Sequence, residues 1–443
     1  MEQQCIFGNS ILENKAPACG IPFFCYPGRC IDGTAGFSLG RKELSKHVLL
    51  LGGAGSGKTN VFSYTIEKAR KEMTDNDVAV IFDTKGEFYE MFHTEGDYVI
   101  GNSSQFRSVS NVWNIFEELL IDGEEDERVQ SNAKEIAAAL FHGRGSESQP
   151  FFCNAAKDIF SAILIHFVRT VKQKPELREK WLNNKSLMEA FHSFQASDYV
   201  KIFKYHKDMN MLLTYIGDGT SNQALGVFAE LNSMLSEYFT GILAAHDPAR
   251  SVSMRKIVRN RGGKAVFVEY DLSSGETLAP VYRLLVDQAL KEALGRSGAQ
   301  SAMGGKVFLF VDEFKLLPKL QHIDDALNFG RGLGVSVMAG IQSVDQLYDI
   351  YGKDKGAVIA GGFGSLFAFH TNDDSSRSYI RDRFGPNRIA VTYKSNSQNK
   401  MVVSEKDGYT AEVWDQMNLG VGQAIIGICE NAPFLFQFAE YGK

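Results

Sequence analysis

Two hydrophobic periods divide the chain. Val48-Leu49-Leu50-Leu51 is wholly apolar, the next segment to about Met73 lets Val61, Phe62, Ile66 and Ala69 share a helical face, and Val78-Ala79-Val80-Ile81-Phe82 is apolar up to Asp83. Short apolar runs of this kind predict strands buried on both faces, as in a parallel sheet. Another strand is expected at Tyr98–Ile100. From about Val112 to Asn260 the period lengthens to that of helices, at Ala133–Phe141, Phe151–Val171, Ser186–Phe194, Tyr199–Met209 and Gln223–Leu243. Acidic Asp122–Glu127 and the Gly143–Pro150 loop punctuate that block. The strand pattern then returns at Ala265–Tyr270. After a helix at Leu278–Leu294 it continues with Lys306–Val311, Val335–Ile341, Leu366–His370 and a closing pair, Gly422–Cys429 and Phe434–Phe438.

A strand, a Gly-rich loop, a helix and a strand open a doubly wound α/β sheet, whose ligands bind outside the carboxyl ends of the strands. The predicted fold class is α/β, a mostly parallel sheet with an inserted all-helical domain. Residues 1–46 are a lead-in with a short strand pair at Ile21–Tyr26 and Ala35–Ser38. Residues 47–111 and 261–443 form the α/β domain, and residues 112–260 form the insert.

Composition narrows the function classes. At 443 residues, with 44% apolar and 23% charged residues and 10 Pro, the chain is a folded globular protein with no large disordered part. A net charge of -6 argues against a protein that coats polyanions, though it permits a local basic channel. The strongly apolar stretch Ile159–Val168 is interrupted by Ser161 and His166 and falls short of the roughly 20 residues that span a bilayer. Met1–Ser10 is polar. The expected location is cytoplasmic, with membrane association only through partners. Of the 6 Cys, Cys5, Cys19, Cys25 and Cys30 lie in the lead-in without a C-x-x-C pair, so they read as reduced thiols rather than a zinc site.

The chemistry concentrates where the first strand ends. Gly52-Gly53-Ala54-Gly55-Ser56-Gly57-Lys58-Thr59, followed by Asn60, fits G-x-x-x-x-G-K-[ST] at every fixed position. Its glycines let consecutive N–H groups converge on phosphate oxygens at a helix N-terminus, Lys58 reaches the β- and γ-phosphates, and Thr59 ligates Mg²⁺. ATP and Mg²⁺ are the expected ligands. The run ending in Asp312-Glu313 supplies the rest of such a site: a carboxylate that orders the metal and a second that polarises the attacking water. Asp83, Lys85 and Glu87 lie at a neighbouring strand end, with Asp83 a candidate nucleotide contact.

Several blocks in order resemble the type IV secretion coupling proteins, the TraD/TraG/TrwB kind of hexameric conjugation ATPase, relatives of the HerA and FtsK translocases. They are Asp83-Thr84-Lys85-Gly86-Glu87, Pro150-Phe151-Phe152 through Ala156, Asp312-Glu313-Phe314, Gly330-Arg331-Gly332-Leu333-Gly334 running to Gln342-Ser343, and the closing Leu419–Tyr441. The likeness covers most of Gly40–Tyr441 and implies a RecA-like P-loop fold. It also implies an ATP-driven hexameric ring that moves DNA, with a relaxase or secretion-system membrane components as partners. By that resemblance Glu313 is the catalytic carboxylate, Arg331 an arginine finger reaching a neighbour's γ-phosphate, and Gln342 a γ-phosphate sensor. Most members of the family carry N-terminal membrane helices, and only about fifty residues precede the P-loop here. Rival readings are a protein-secretion ATPase, a repair or defence translocase, and a non-processive ATP-dependent switch. DNA contacts are expected from a basic run, Arg250, Arg255, Lys256, Arg259, Arg261 and Lys264, or from Arg381, Arg383 and Arg388.

Overall fold

The computed structural model describes residues 2–18, 21–31, 33, 35–145, 150–295, 305–394 and 401–442. Its strands in chain order are β1 (Glu2–Phe7), β2 (Pro22–Cys30), β3 (Ala35–Gly40), β4 (Val48–Leu51), β5 (Val78–Asp83), β6 (Tyr98–Gly101), β7 (Val112–Trp113) and β8 (Ser251–Val252). There follow β9 (Lys264–Glu269), β10 (Val307–Val311), β11 (Val335–Ile341), β12 (Ser365–Ala368), β13 (Pro386–Lys394), β14 (Met401–Tyr409), β15 (Gln423–Ile428) and β16 (Phe434–Phe438). The chain divides into two compact units, residues 1–94, 262–265 and 293–443, and residues 95–261 with 266–292.

In the first unit, β12, β4, β11, β10 and β5 lie side by side and parallel. Val307 of β10 faces both Val335 of β11 and Val78 of β5, which aligns the strand ends. All residues of β4, β5, β10 and β11 are buried, which is why their sequences run apolar without alternation. An antiparallel wing continues from β12 through β15, β16, β2 and β3. The lead-in is therefore part of the sheet: Phe37 packs edge-on against Phe434 and Phe436. A separate antiparallel sheet, β1-β13-β14, was not legible in the sequence, because β14 is mostly exposed and carries no apolar alternation.

The second unit holds the helical block, and β6 pairs there in parallel with β9, Tyr98 opposite Val266. Most of the helix Gly275–Leu294 also belongs to it. The helix Pro150–Gln173 is long and apolar enough to cross a membrane by length and composition. Its Ile159, Phe160, Ile163 and Leu164 are instead fully buried, where it packs on Asp126–Phe141 and Asn222–Tyr238. Cys5, Cys25, Cys30, Cys153 and Cys429 are free thiols, and Cys19 lies outside the described residues. Among the described residues no three His, Cys, Asp or Glu side chains are grouped to hold a metal.

Candidate functional site

The Gly-rich loop leaves β4 in the middle of the sheet and enters the helix Lys58–Glu72. Gly52 donates its N–H to Ile341 O at 3.1 Å and Gly53 to His370 O at 2.8 Å, so strands on both sides fix the start of the loop. A β carbon on Gly52 would stand 2.5 Å from Phe369 Cβ. Gly57 has φ 109°, a left-handed conformation that glycine adopts freely, and turns the chain into the helix. The closing hairpin supports the loop from outside, since Gly422 N–H donates to Ser56 O at 3.0 Å. Lys58 Nζ donates to Gly52 O at 2.6 Å and Gly53 O at 3.1 Å. Burial lowers its pKa, while Asp312 and Glu313 pull it back up.

The strand order then brings the acids to the loop. β11 lies between β4 and β10, so the carboxyl ends of all three open onto one place. Thr59 Oγ1 donates to Asp312 Oδ2 at 2.7 Å, and Gln342 Nε2 donates to Glu313 Oε2 at 2.8 Å. The other carboxylate oxygens, Asp312 Oδ1 and Glu313 Oε1, are buried and have no hydrogen-bond partner among the described residues. Burial raises the Asp312 pKa against the opposing pull of Thr59 and Lys58. A hydroxyl and a carboxylate with an unsatisfied oxygen, next to a lysine, are a donor set suited to a hard divalent cation and an anion together.

Two expected ligands are placed differently. Asp83 is a turn cap: Oδ1 accepts from Lys85 and Gly86 N–H at 3.1 and 3.0 Å, and Oδ2 from Phe88 and Tyr89 N–H at 2.8 and 3.0 Å. Four N–H donors satisfy this buried carboxylate, so it holds the helix Glu87–Phe92 rather than a nucleotide. Asn60 donates to Ala439 O at 2.8 Å and accepts from Tyr441 N–H at 2.7 Å, so its amide ties the helix to the chain's last residues. Lys85, named with Asp83 and Glu87 at this strand end, lowers the pKa of both Lys58 and Asp312 through its charge. Its signal in the sequence was its place two residues beyond a buried strand.

Arg331 lies in the last turn of the helix Ile323–Leu333, which Gly334 closes with φ 81°; the expected glycine turn is helical up to that cap. The helix feeds the amino end of β11, whereas Asp312 and Gln342 follow the carboxyl ends of β10 and β11. Five strand residues at about 3.3 Å each put Arg331 roughly 16 Å from its own acids. It is exposed.

The first basic run does not form a free stripe. Arg255 is buried and pairs with Asp122 at 2.7 Å and Glu292 at 3.1 Å; Arg259 pairs with the same two acids at 2.8 and 2.7 Å. Burial pushes the Asp122 carboxyl up, but hydrogen bonds from Arg255, Arg259 and Asn132 hold it far below the usual range. Lys256 pairs with Glu117 at 3.2 Å, and Arg250 with Asp247 at 2.7 Å. Arg261 follows the helix Met254–Asn260 with φ 58°, its N–H on Ile257 O. In the second run Arg381 pairs with Asp382 and Arg388 with Asp407, while Arg383 donates to Phe363 O. The carboxylates that neutralise Arg255, Lys256 and Arg259 are distant in sequence, which hid those pairings.

Residues 33–412 match the model of the type IV secretion-system coupling protein DNA-binding domain. Coupling protein TraD of Escherichia coli (strain K12) is 22% identical over 311 residues, 70% of this chain and 39% of TraD. A probable conjugal transfer protein TraG of Sinorhizobium fredii (strain NBRC 101917 / NGR234) is 27% identical over 137 residues, 31% of this chain and 21% of TraG. The chain thus spans less than half the length of these relatives. The plasmid coupling protein TrwB, solved with the non-hydrolysable ATP analogue ADPNP, matches with a TM-score of 0.68 at 18% identity, over 99% of this chain and 96% of that one. The same protein solved with ADP and Mg²⁺ matches with a TM-score of 0.63 at 19% identity, over 91% and 88% of the two chains. At such identities the likeness carries the fold, the RecA-like P-loop arrangement expected from the sequence.

Proposed function

This chain belongs to the type IV secretion-system coupling protein family, and from that premise we propose that it is an ATPase subunit of a homo-hexameric ring that moves DNA in conjugative transfer. The observation that carries the reading is the pair of contacts Thr59–Asp312 at 2.7 Å and Gln342–Glu313 at 2.8 Å beside the Lys58 loop. Lys58 turns from its loop carbonyls to the β- and γ-phosphates of ATP, and the loop N–H groups hold the remaining oxygens. Thr59 and Asp312 are the residues that would hold Mg²⁺, which when bound neutralises phosphate charge. Glu313 takes the proton of the attacking water, and Gln342 fixes the orientation of that carboxylate. Lys85 adds a second cation on the side of Asp312.

Arg331 lies at the opposite end of the strands from its own site and is exposed, as an arginine finger serving the next subunit must be. A relaxase and membrane components of the secretion system are the partners this role calls for, on the cytoplasmic side of the membrane. The test is ATP hydrolysis with and without single- or double-stranded DNA, using Lys58→Ala as the blank, together with the mass of the assembly in solution. DNA-stimulated turnover by a hexamer is expected. Turnover that neither form of DNA stimulates would overturn the DNA motor.

A further inference from the structure

A second concentration of charge lies at the edge of the sheet remote from the phosphate loop. Lys306 immediately precedes β10, Arg331 lies in the last turn of the helix that Gly334 caps just before β11, and Val307 and Val335 are paired in register. Arg41 opens the short helix Arg41–Leu44 ahead of β4. An aromatic stack links it to β10. Phe308, two residues past Lys306 and so on the same face of the strand, stacks on Phe23 with ring centres 6.1 Å apart. The Arg41 guanidinium lies 4.5 Å from the Phe23 ring centre.

Val307 N–H donates to Gly334 O at 2.9 Å, which brings the end of the Arg331 helix to the residue that follows Lys306; after burial, Arg41 and Arg331 are the charges that push the Lys306 ammonium pKa down. Asp77 opposes them, but its oxygens already accept from Lys306 N–H at 2.6 Å, Thr74 N–H at 2.8 Å and the Thr74 hydroxyl at 2.9 Å. Among the described residues none of the three cations makes an ion pair. A solvated basic face spreads its charges apart, whereas here a half-buried lysine shares one end of the sheet with two arginines. Such a cluster is stabilised by an anion of high charge.

The chain's own nucleotide loop opens at the other end of the same strands and cannot supply that anion. In a ring built from head-to-tail contacts, one edge of each copy meets the opposite edge of the next. We propose that Arg41 and Lys306 join Arg331 as a three-cation clamp on the ATP polyphosphate bound by the neighbouring copy. The inference rests on the ring ATPase reading above. It adds two residues to the transition-state electrostatics of each site and makes assembly a condition of turnover.

The test mixes two defective proteins. Lys58→Ala loses the phosphate loop and keeps the clamp, while the double variant Arg41→Gln, Lys306→Met keeps the loop and loses most of the clamp. Without DNA, each alone is expected to hydrolyse ATP at least about tenfold more slowly than wild type. Mixed in equal amounts they should regain activity, because mixed rings contain interfaces that pair an intact loop with an intact clamp. Mixing without recovery, while wild type turns over, would overturn the clamp. So would a double variant with wild-type DNA-free turnover, including one that has lost only DNA affinity. Wild-type protein without ATPase activity would refute the motor reading itself, a different result. If the double variant does not fold by circular dichroism, Lys306→Met alone enters the same mixing experiment.

Discussion

Gly340→Ala is the smallest change that should dismantle the site without touching a functional side chain. Gly340 lies on β11 where β10 ends, and a β carbon there would stand 2.2 Å from the Asp312 carbonyl oxygen and 3.2 Å from Phe62 Cε2. Carbon–oxygen contacts settle at about 3.3–3.6 Å, so the two strand ends must separate by about 1 Å. No flexible side chain can absorb the shift, because the nearest atom is backbone on a buried, hydrogen-bonded strand end. Overpacking of this kind costs about 1–3 kcal/mol. The displaced atoms carry Asp312 and Glu313 on one side and lead to Gln342 on the other, and a misplacement of about 1 Å costs on the order of 100-fold in rate. The assay is steady-state ATP hydrolysis beside thermal melting and nucleotide binding. Turnover is expected to fall about 100-fold, with a lower melting temperature and retained binding. Gly361→Ala is the control: its β carbon meets nothing within 4 Å in the helix Lys353–Gly362, so it should be neutral or gain about 0.5–1 kcal/mol. A Gly340→Ala protein that hydrolyses and melts like wild type would show that the strand ends do not meet as described.

Three further outcomes are expected. Glu313→Gln should cut turnover by about 10²–10⁴ while ATP binds as before, measured with a fluorescent analogue; more than a tenth of wild-type turnover would rule out Glu313 as the base. His47 is buried beneath β11, where desolvation lowers its pKa from 6.5 to about 4. The folded protein then binds fewer protons than the unfolded chain between those values, so stability is full above pH 6.5 and falls as pH drops toward 4, by roughly 3 kcal/mol. His47→Gln should flatten that slope in melting curves between pH 7 and 5, and an unchanged slope would refute the assignment. Arg259→Ala should cost about 1–2 kcal/mol in melting, discounted for its partial exposure, and leave DNA affinity and its salt dependence untouched; a weaker, less salt-sensitive DNA complex would restore it as a phosphate contact.

What was legible in the sequence follows from how local each feature is. The strands β4, β5, β10 and β11 are buried on both faces and announce themselves as apolar runs, and the P-loop is a contiguous motif. Asp312 and Glu313 were readable because a strand end is a fixed place in an α/β sheet. Asp83 misled for the same reason: it occupies a strand end of the right kind, but the N–H groups that claim it come from the next helical turn, and only the path of that turn decides between a cap and a ligand. Asn60 is claimed by residues 439 and 441, and Arg255 and Arg259 by Asp122 and Glu292. No periodicity records partners at that separation. The β1-β13-β14 sheet was silent because exposed antiparallel strands need no apolar alternation.

The ring reading gives β11 a particular mechanical role. Its carboxyl end leads to Gln342, bonded to the Glu313 carboxylate, and its amino end follows the helix that carries Arg331. Between them all of Val335–Ile341 is buried, flanked by paired strands on both sides. A central strand packed at crystal-like density cannot stretch or bend locally at low cost. In the proposed ring, a change in the Gln342–Glu313 contact during hydrolysis at one site would therefore move the strand as a body, and with it the charge offered to the next site. The coupling needs no separate relay of side chains, because a rigid strand between two sites is already an element that both can bias.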